Sequence, residues 1–394
     1  MEVIKINKIR VLFIASYSGT SGANHSLVTL VKLLKEFFNV EPFVIIPNSG
    51  PIEVMLEEDN ISYKIVKFYP WVISKNRINH IENAKWLLKK TINTLNEQRI
   101  KKILLEKNIE LVHLNGSTIS FGAKIGIENG IPVIWHIREF LEQDLNKEFW
   151  NKEESLKLLN RASSIITISN SVKNNLDKRI DLDYVTTIYN GIDTDKYEQL
   201  DSSLFVNKII TLTIAGRISP NKGQEEAIMA IKQLVLRGYK KILLQIVGSE
   251  GDDQYLSKLK NIVSENNLYE YVSFIDYVKD IEKMWAGTDI ALVCSDAEAF
   301  GRVTIEASLA NCVVVASNTG ASPELLEDKF GYLYEKGNVI DLADKLQYIL
   351  ENKKKAIEIA NFGKENAVIH FSAMENAENI YNLYSNVLIS KEGN

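Results

Sequence analysis

Two doubly wound α/β domains are predicted by three features of the sequence. Short β-branched apolar runs alternate with longer amphipathic stretches, the chain has 394 residues, and the rhythm lapses once near the middle. A chain of this length exceeds one ordinary core, so two cores of usual size are expected. Runs that are apolar on both faces need helices above and below them, which is the pattern of a parallel sheet.

In the first half the predicted strands are RVLFIA (10 to 15), PFVIIP (42 to 47), LVHLN (111 to 115), PVIWHI (132 to 137) and SIITIS (164 to 169). In the second they are ITLTIAG (210 to 216), ILLQIVG (242 to 248), VSFID (272 to 276), IALVCS (290 to 295) and VVVAS (313 to 317). Periodicity lapses across YNGIDTDKYEQLDSSLFVNK, 189 to 208, where Asn-Gly marks a turn. The boundary is therefore expected near 205, giving domains 1–205 and 206–372. Beyond them AMENAENIYNLYSNVL (373 to 388) has helical spacing, with Ile380, Leu383, Tyr384 and Leu388 near one face.

A formal charge of -5 gives no reason to expect a nucleic-acid partner. Basic residues are nonetheless clustered: Lys64 to Lys107 contains 11 Lys and Arg against 3 Glu, beside the aromatic loop FYPWVI at 68 to 73. The plain reading is a solvated helical face with ordinary buried aromatics. The sharper one is docking on an anionic membrane, where each well-placed cation contributes roughly 1 kcal/mol and Trp favours the interface. The two cysteines, Cys294 and Cys312, lie in apolar runs and read as small core residues of a reducing compartment. The opening MEVIKINKIRVLFIA lacks the apolar stretch and cleavage site of a signal peptide, and no run approaches the ~18 apolar residues of a membrane span. A cytoplasmic protein, at most peripheral on the inner face of the membrane, is expected.

Ligands of doubly wound sheets bind beyond the carboxyl ends of the strands, so the residues just after each strand carry the functional argument. EAFGRVTIEA (298 to 307) follows IALVCS and leads into a predicted helix, with Glu298 in the loop and Glu306 inside the helix. Helical side chains lean toward the N-terminus, so Glu306 can point back over the loop, where unpaired N–H groups around Phe300 and Gly301 suit an anion. Two carboxylates flanking an anion match a sugar, a diphosphate and a ribose, since a carboxylate accepts from two neighbouring hydroxyls. The competing reading is a helix-start acid and a surface Glu. GRISPNKGQEEAI (216 to 228) also follows a strand and places Arg217 and Lys222 near a helix start, where they can neutralise a diphosphate.

These segments together resemble the retaining glycosyltransferases of the GT-B class, family four, over essentially the whole chain. EAFGRVTIEA resembles the family's pair of glutamates eight positions apart, GRISPNKG its arginine and lysine segment, and IYNGIDTDKY its interdomain turn. The resemblance implies two Rossmann-like domains facing across a cleft, with a C-terminal helix, 373–390, crossing back to the first domain. It implies that Arg217 and Lys222 hold the diphosphate, Glu306 the ribose hydroxyls and Glu298 the transferred sugar, with the backbone of Phe300 and Gly301 on sugar and phosphate. Tyr277 and Val278 would lie near the nucleobase. GTSGANHSLVTL (19 to 30) resembles the family's glycine loop in part, having Ser21-Gly22 where many relatives have adjacent glycines; Gly22 would let the backbone approach phosphate or acceptor. His136, in WHIREF, matches the family's histidine near the reacting face of the sugar. Arg138 and Glu139 are expected to form only a local ion pair, and His113 to precede an acceptor-side loop.

Asp-x-Asp occurs at 181 to 183 and 193 to 195, neither at the end of a convincing buried strand. No metal and no resident cofactor are expected, the cations standing in for Mg²⁺. The expectation is thus a metal-independent retaining hexosyltransferase, with a UDP sugar first by family frequency. Its acceptor would be a glycan, lipid-linked or protein hydroxyl, in surface polysaccharide or glycoconjugate synthesis. A nucleotide-sugar epimerase and a noncatalytic nucleotide-sugar-binding subunit are the alternatives.

Overall fold

The structure, a computed structural model, describes residues 8–75, 80–198, 200, 203–249, 253–327 and 329–392. The chain divides into two units, Met1–Gly191 with Ala373–Asn394, and Ile192–Ser372. The break falls inside the Asn-Gly turn, ahead of the position near 205 that periodicity suggested. The physical reason is that Leu204 and Phe205 already pack on the second core, although they lie in an irregular stretch.

The first unit is built on strands β1 (Ile9–Ala15), β2 (Val40–Ile46), β3 (Tyr63–Ile65), β4 (Val72–Ser74), β5 (Leu111–Asn115), β6 (Val133–Ile137), β7 (Lys147–Phe149), β8 (Ser164–Thr167) and β9 (Val185–Thr187). Seven form a parallel sheet in the order β3-β2-β1-β5-β6-β8-β9. The remaining two, β4 and β7, form a separate antiparallel pair. β5 and β6 are buried throughout, as their unbroken apolar pattern requires once helices cover both faces. The helix Ala373–Glu392 belongs to this unit, inserting Ala377, Ile380 and Tyr384 into the core around Val11, Phe13 and Leu27.

The aromatic loop follows the plain reading of ordinary buried aromatics at Phe68, while Trp71 is half-buried. Phe68 is buried and stacked on Phe121 at 4.6 Å, and Trp71 lies parallel to Trp135 at 5.9 Å and donates Nε1–H to Ser117 O at 2.7 Å. Their partners arrive from distant segments of the chain.

The second unit holds β10 (Ile210–Ala215), β11 (Ile242–Val247), β12 (Val272–Ile275), β13 (Ile290–Val293), β14 (Val313–Ser317) and β15 (Tyr332–Tyr334), all parallel in the order β12-β11-β10-β13-β14-β15. Each sheet reverses its strand order once, between β1 and β5 and between β10 and β13. Beyond the carboxyl ends at such a switch point, loops diverge to opposite faces and leave room for a ligand. Cys294 and Cys312 are buried free thiols of the second unit.

Candidate active site

The loops after β10 and β13 meet at the second unit's switch point. After β10, Arg217 is exposed, and its carbonyl accepts from Gln224 Nε2 at 3.0 Å. Pro220 opens a short 3₁₀ turn, Pro220–Lys222, and Gly223 then takes a left-handed φ of 70° to start the helix Gln224–Leu236. A Cβ on Gly223 would stand 2.0 Å from Cys294 O, so the turn can lie on the end of β13 only with glycine there. Asp296 N completes the join by donating to Asn221 O at 2.9 Å.

This join sets Lys222 against Glu298. Lys222 Nζ lies 2.5 Å from Glu298 Oε1, which also accepts from Ser295 Oγ at 2.6 Å. Oε2 has no hydrogen-bond partner among the described residues. The glutamate backbone is fixed as well: Ala321 N donates to its carbonyl at 2.8 Å, and a Cβ on Gly320 would meet its N and O at 2.4 Å. Phe300 is buried, 6.0 Å from the Phe371 ring. Gly301 then turns left-handed, φ 87°, and heads the helix Arg302–Leu309 with no side-chain cap and no acid in the first turn. Its first N–H groups and the helix dipole therefore present positive potential beside Glu298.

Glu306 is buried within that helix and pairs with Arg302 one turn back at 3.1 Å. Burial pushes its carboxyl above the usual range, with Arg302 opposing. The glutamate's charge in turn adds to burial in raising the pKa of Tyr197. Sequence reasoning missed Arg302 and Tyr197; the four-residue spacing from Arg302 to Glu306 was the available signal. It also missed Lys336, whose Nζ lies 2.6 Å from Glu226 Oε2, 3.2 Å from Asp296 Oδ1 and 2.9 Å from Cys294 O. Tyr277 and Val278 follow β12, and Tyr277 is 71% exposed.

In the first unit Gly22 is the first residue of the helix Gly22–Phe37, capped by Ser21, whose side chain accepts from Asn24 N. His136 is fully buried in β6 beside His113 of β5, with His136 Nδ1 3.2 Å from His113 Nε2. Arg138 keeps a backbone bond to its neighbour, its N–H donating to Glu139 Oε2 at 3.2 Å, but its guanidinium turns elsewhere. Its guanidinium bonds Asn115 Oδ1, Asn190 Oδ1 at 2.5 Å and His136 Nδ1 at 3.2 Å, while Glu139 Oε1 accepts from Ser117 N and Oγ, both at 2.7 Å. A buried guanidinium needs several acceptors, and the asparagine oxygens supply them. His113 bonds inward, to Tyr384. Asp181 accepts from Asp183 N at 3.1 Å, and Asp193 faces Lys196 at 3.9 Å. Among the described residues no three His, Cys, Asp or Glu side chains converge as metal ligands.

Two parallel-sheet halves, with charged loops at the switch point of the second, are the architecture of a GT-B glycosyltransferase. Over 96% of this chain and 100% of the other, the fold matches Anabaena HepE, crystallised in complex with UDP, with a TM-score of 0.79 at 21% identity. The Glycosyltransferase Family 4 model matches residues 20–196 and the Glycosyl transferases group 1 model residues 195–366. The chain belongs to the group 1 glycosyltransferases.

Among sequence relatives, the spore coat protein SA of Bacillus subtilis is 24% identical over 57% of this chain and 66% of its own length. The capsular polysaccharide biosynthesis glycosyltransferase CapM of Staphylococcus aureus is 26% identical over 59% and 64%. The chain thus spans just under two thirds of the length of these relatives.

Proposed function

We propose that the protein moves a hexose-type sugar from a nucleoside diphosphate, UDP first, to a hydroxyl acceptor, with retention at the anomeric carbon and without a metal. The observation that carries this reading is the Lys222–Glu298 pair beside the uncapped helix start at Gly301. A cation and the N–H groups of a helix start without a side-chain cap suit the diphosphate, and the open Oε2 suits a sugar hydroxyl. Arg217 adds charge on the phosphates, Glu306 serves the ribose, Tyr277 and Val278 flank the base, and Gly22 admits phosphate or acceptor. From the first unit His136 donates to a sugar oxygen. As the bond from anomeric carbon to phosphate oxygen breaks, negative charge grows on the phosphate and is stabilised in place. The acceptor oxygen forms the new bond on the same face and its proton passes to the departing phosphate.

The test is a thermal-shift screen of nucleotide sugars, followed by mass spectrometry of products formed with candidate acceptors. An acceptor one hexosyl unit heavier, with nucleoside diphosphate released, is the expected result. A donor epimer without glycoside would establish an epimerase, and donor binding without turnover a noncatalytic partner.

A lipid-linked acceptor is supported by the helix His80–Glu106, which exposes Leu87, Leu88 and Leu95 among Lys90, Arg99 and Lys102. Leucines bordered by cations suit an anionic membrane surface at the cytoplasmic face. CapM, by its name a capsular polysaccharide enzyme, favours the same setting. No helix among the described residues is long and apolar enough to cross a membrane. Sedimentation with phosphatidylserine vesicles at low salt is expected to exceed that with phosphatidylcholine, and to fall in Leu87→Ser/Leu88→Ser. Equal binding to both lipids would remove the electrostatic support.

A further inference from the structure

We propose that Ser295 is a positioning residue that holds the Glu298 carboxylate by Oε1 and so fixes Oε2 as the oxygen offered to the donor sugar. The proposal rests on the reading of Glu298 as the sugar's contact, and its geometry lies wholly within the second unit.

Ser295 is buried in the loop that leaves β13, three residues ahead of Glu298. A serine hydroxyl has one hydrogen, and Ser295 Oγ donates it to Glu298 Oε1 at 2.6 Å. The terminal torsion of a glutamate is broad and roughly two-fold, so a carboxylate without an anchor presents either oxygen. Lys222 Nζ also bonds Oε1, but an ammonium on a flexible four-carbon stem can follow whichever oxygen turns toward it. In the proposed site that ammonium is shared with the diphosphate as well. Ser295 reaches Glu298 through one short side chain on a fixed backbone, so the serine is what selects the oxygen.

The backbone that carries Ser295 is held from the loop after β14. Ser317 Oγ and Thr319 Oγ1 approach Ser295 O at 2.7 and 3.0 Å and lie 2.9 Å from each other. Two hydroxyl hydrogens serve these three contacts, and however the pair shares them within the trio, at least one reaches Ser295 O. At the other end of the loop Ala321 N donates to Glu298 O at 2.8 Å, and Gly320 packs on the Glu298 backbone. Both ends are thus held by their carbonyls, without the Ser295 hydroxyl. Removing Oγ therefore frees the carboxylate and leaves the course of the loop intact.

The experiment is calorimetric titration of the full chain with UDP and with the UDP sugar that gives the largest thermal shift in the screen. In Ser295→Ala affinity for the UDP sugar is expected to fall on the order of tenfold, with affinity for UDP unchanged, since only the sugar meets Oε2. Adding Ser295→Ala to Glu298→Ala should cost nothing further, because the serine acts through the glutamate. No loss, equal losses for UDP and the UDP sugar, or single-variant losses that add in the double variant would mean that Ser295 does not act on the carboxylate, and each overturns the proposal. Should Ser295→Ala not fold, Ser295→Cys, close in size with a weaker donor, takes its place in the cycle with the same outcomes. If Glu298→Ala binds the UDP sugar as tightly as the unmodified chain, the sugar contact falls and crystal structures decide the positioning. A Glu298 carboxylate that has turned in Ser295→Ala upholds it, and one that has not moved overturns it.

Discussion

Lys222→Ala is expected to lower kcat at least about a hundredfold while the second unit stays folded. Two different energies are involved. In the folded state Lys222 forms a partly exposed pair with Glu298, their side chains 28% and 18% accessible, and such pairs contribute on the order of 0 to 1 kcal/mol to stability. A unit of this size should then melt only a few degrees lower. In the proposed transfer the same ammonium would face a phosphate gaining negative charge, and removing a well-placed charged contact of that kind costs ~2 to 4 kcal/mol in the barrier. Steady-state kinetics with the donor identified in the screen, beside a melting curve, separates the two. Turnover like that of the unmodified chain would contradict the role. A loss confined to KM would restrict Lys222 to holding the ground state.

The second large effect is structural and independent of any substrate. Gly223→Ala combines a left-handed φ of 70° with a Cβ placed 2.0 Å from the backbone oxygen of Cys294. The backbone conformation alone costs about 1 to 3 kcal/mol for a residue with a side chain, and overpacking against a rigid strand end a further ~1 to 3 kcal/mol. Denaturant unfolding should therefore show a loss of roughly 2 to 6 kcal/mol. Gly238→Ala is the matched control, since Gly238 has φ 96° with no atom within 4 Å of the added carbon. It should lose only the conformational part. Equal losses at both positions would mean that the approach of the turn to Cys294 is not what demands glycine.

The long strands were legible because β-branched runs such as RVLFIA and ILLQIV are apolar on both faces. Three-residue strands such as Tyr63–Ile65, Val185–Thr187 and Tyr332–Tyr334 carry too few residues to show a period, and all were missed. The loops bearing Arg217, Lys222 and Glu298 were legible from their place after strands and from family resemblance. What presses on them was not. Gly223 and Gly320 are required by Cys294 and Glu298, contacts that spacing along the chain does not encode. Arg138 was misread for the same reason: its immediate neighbour is an acid, whereas its partners Asn115 and Asn190 lie far off in sequence. The tie between Tyr384 and His113 spans 271 positions, beyond the reach of any local pattern.

The helix Ala373–Glu392 completes a core whose other parts all precede Ile192. On the ribosome, therefore, the first unit must wait with an apolar groove open until the whole of Ile192–Ser372 has been synthesised. The unit made first is finished last, which exposes the nascent chain to aggregation and favours chaperone capture during that interval.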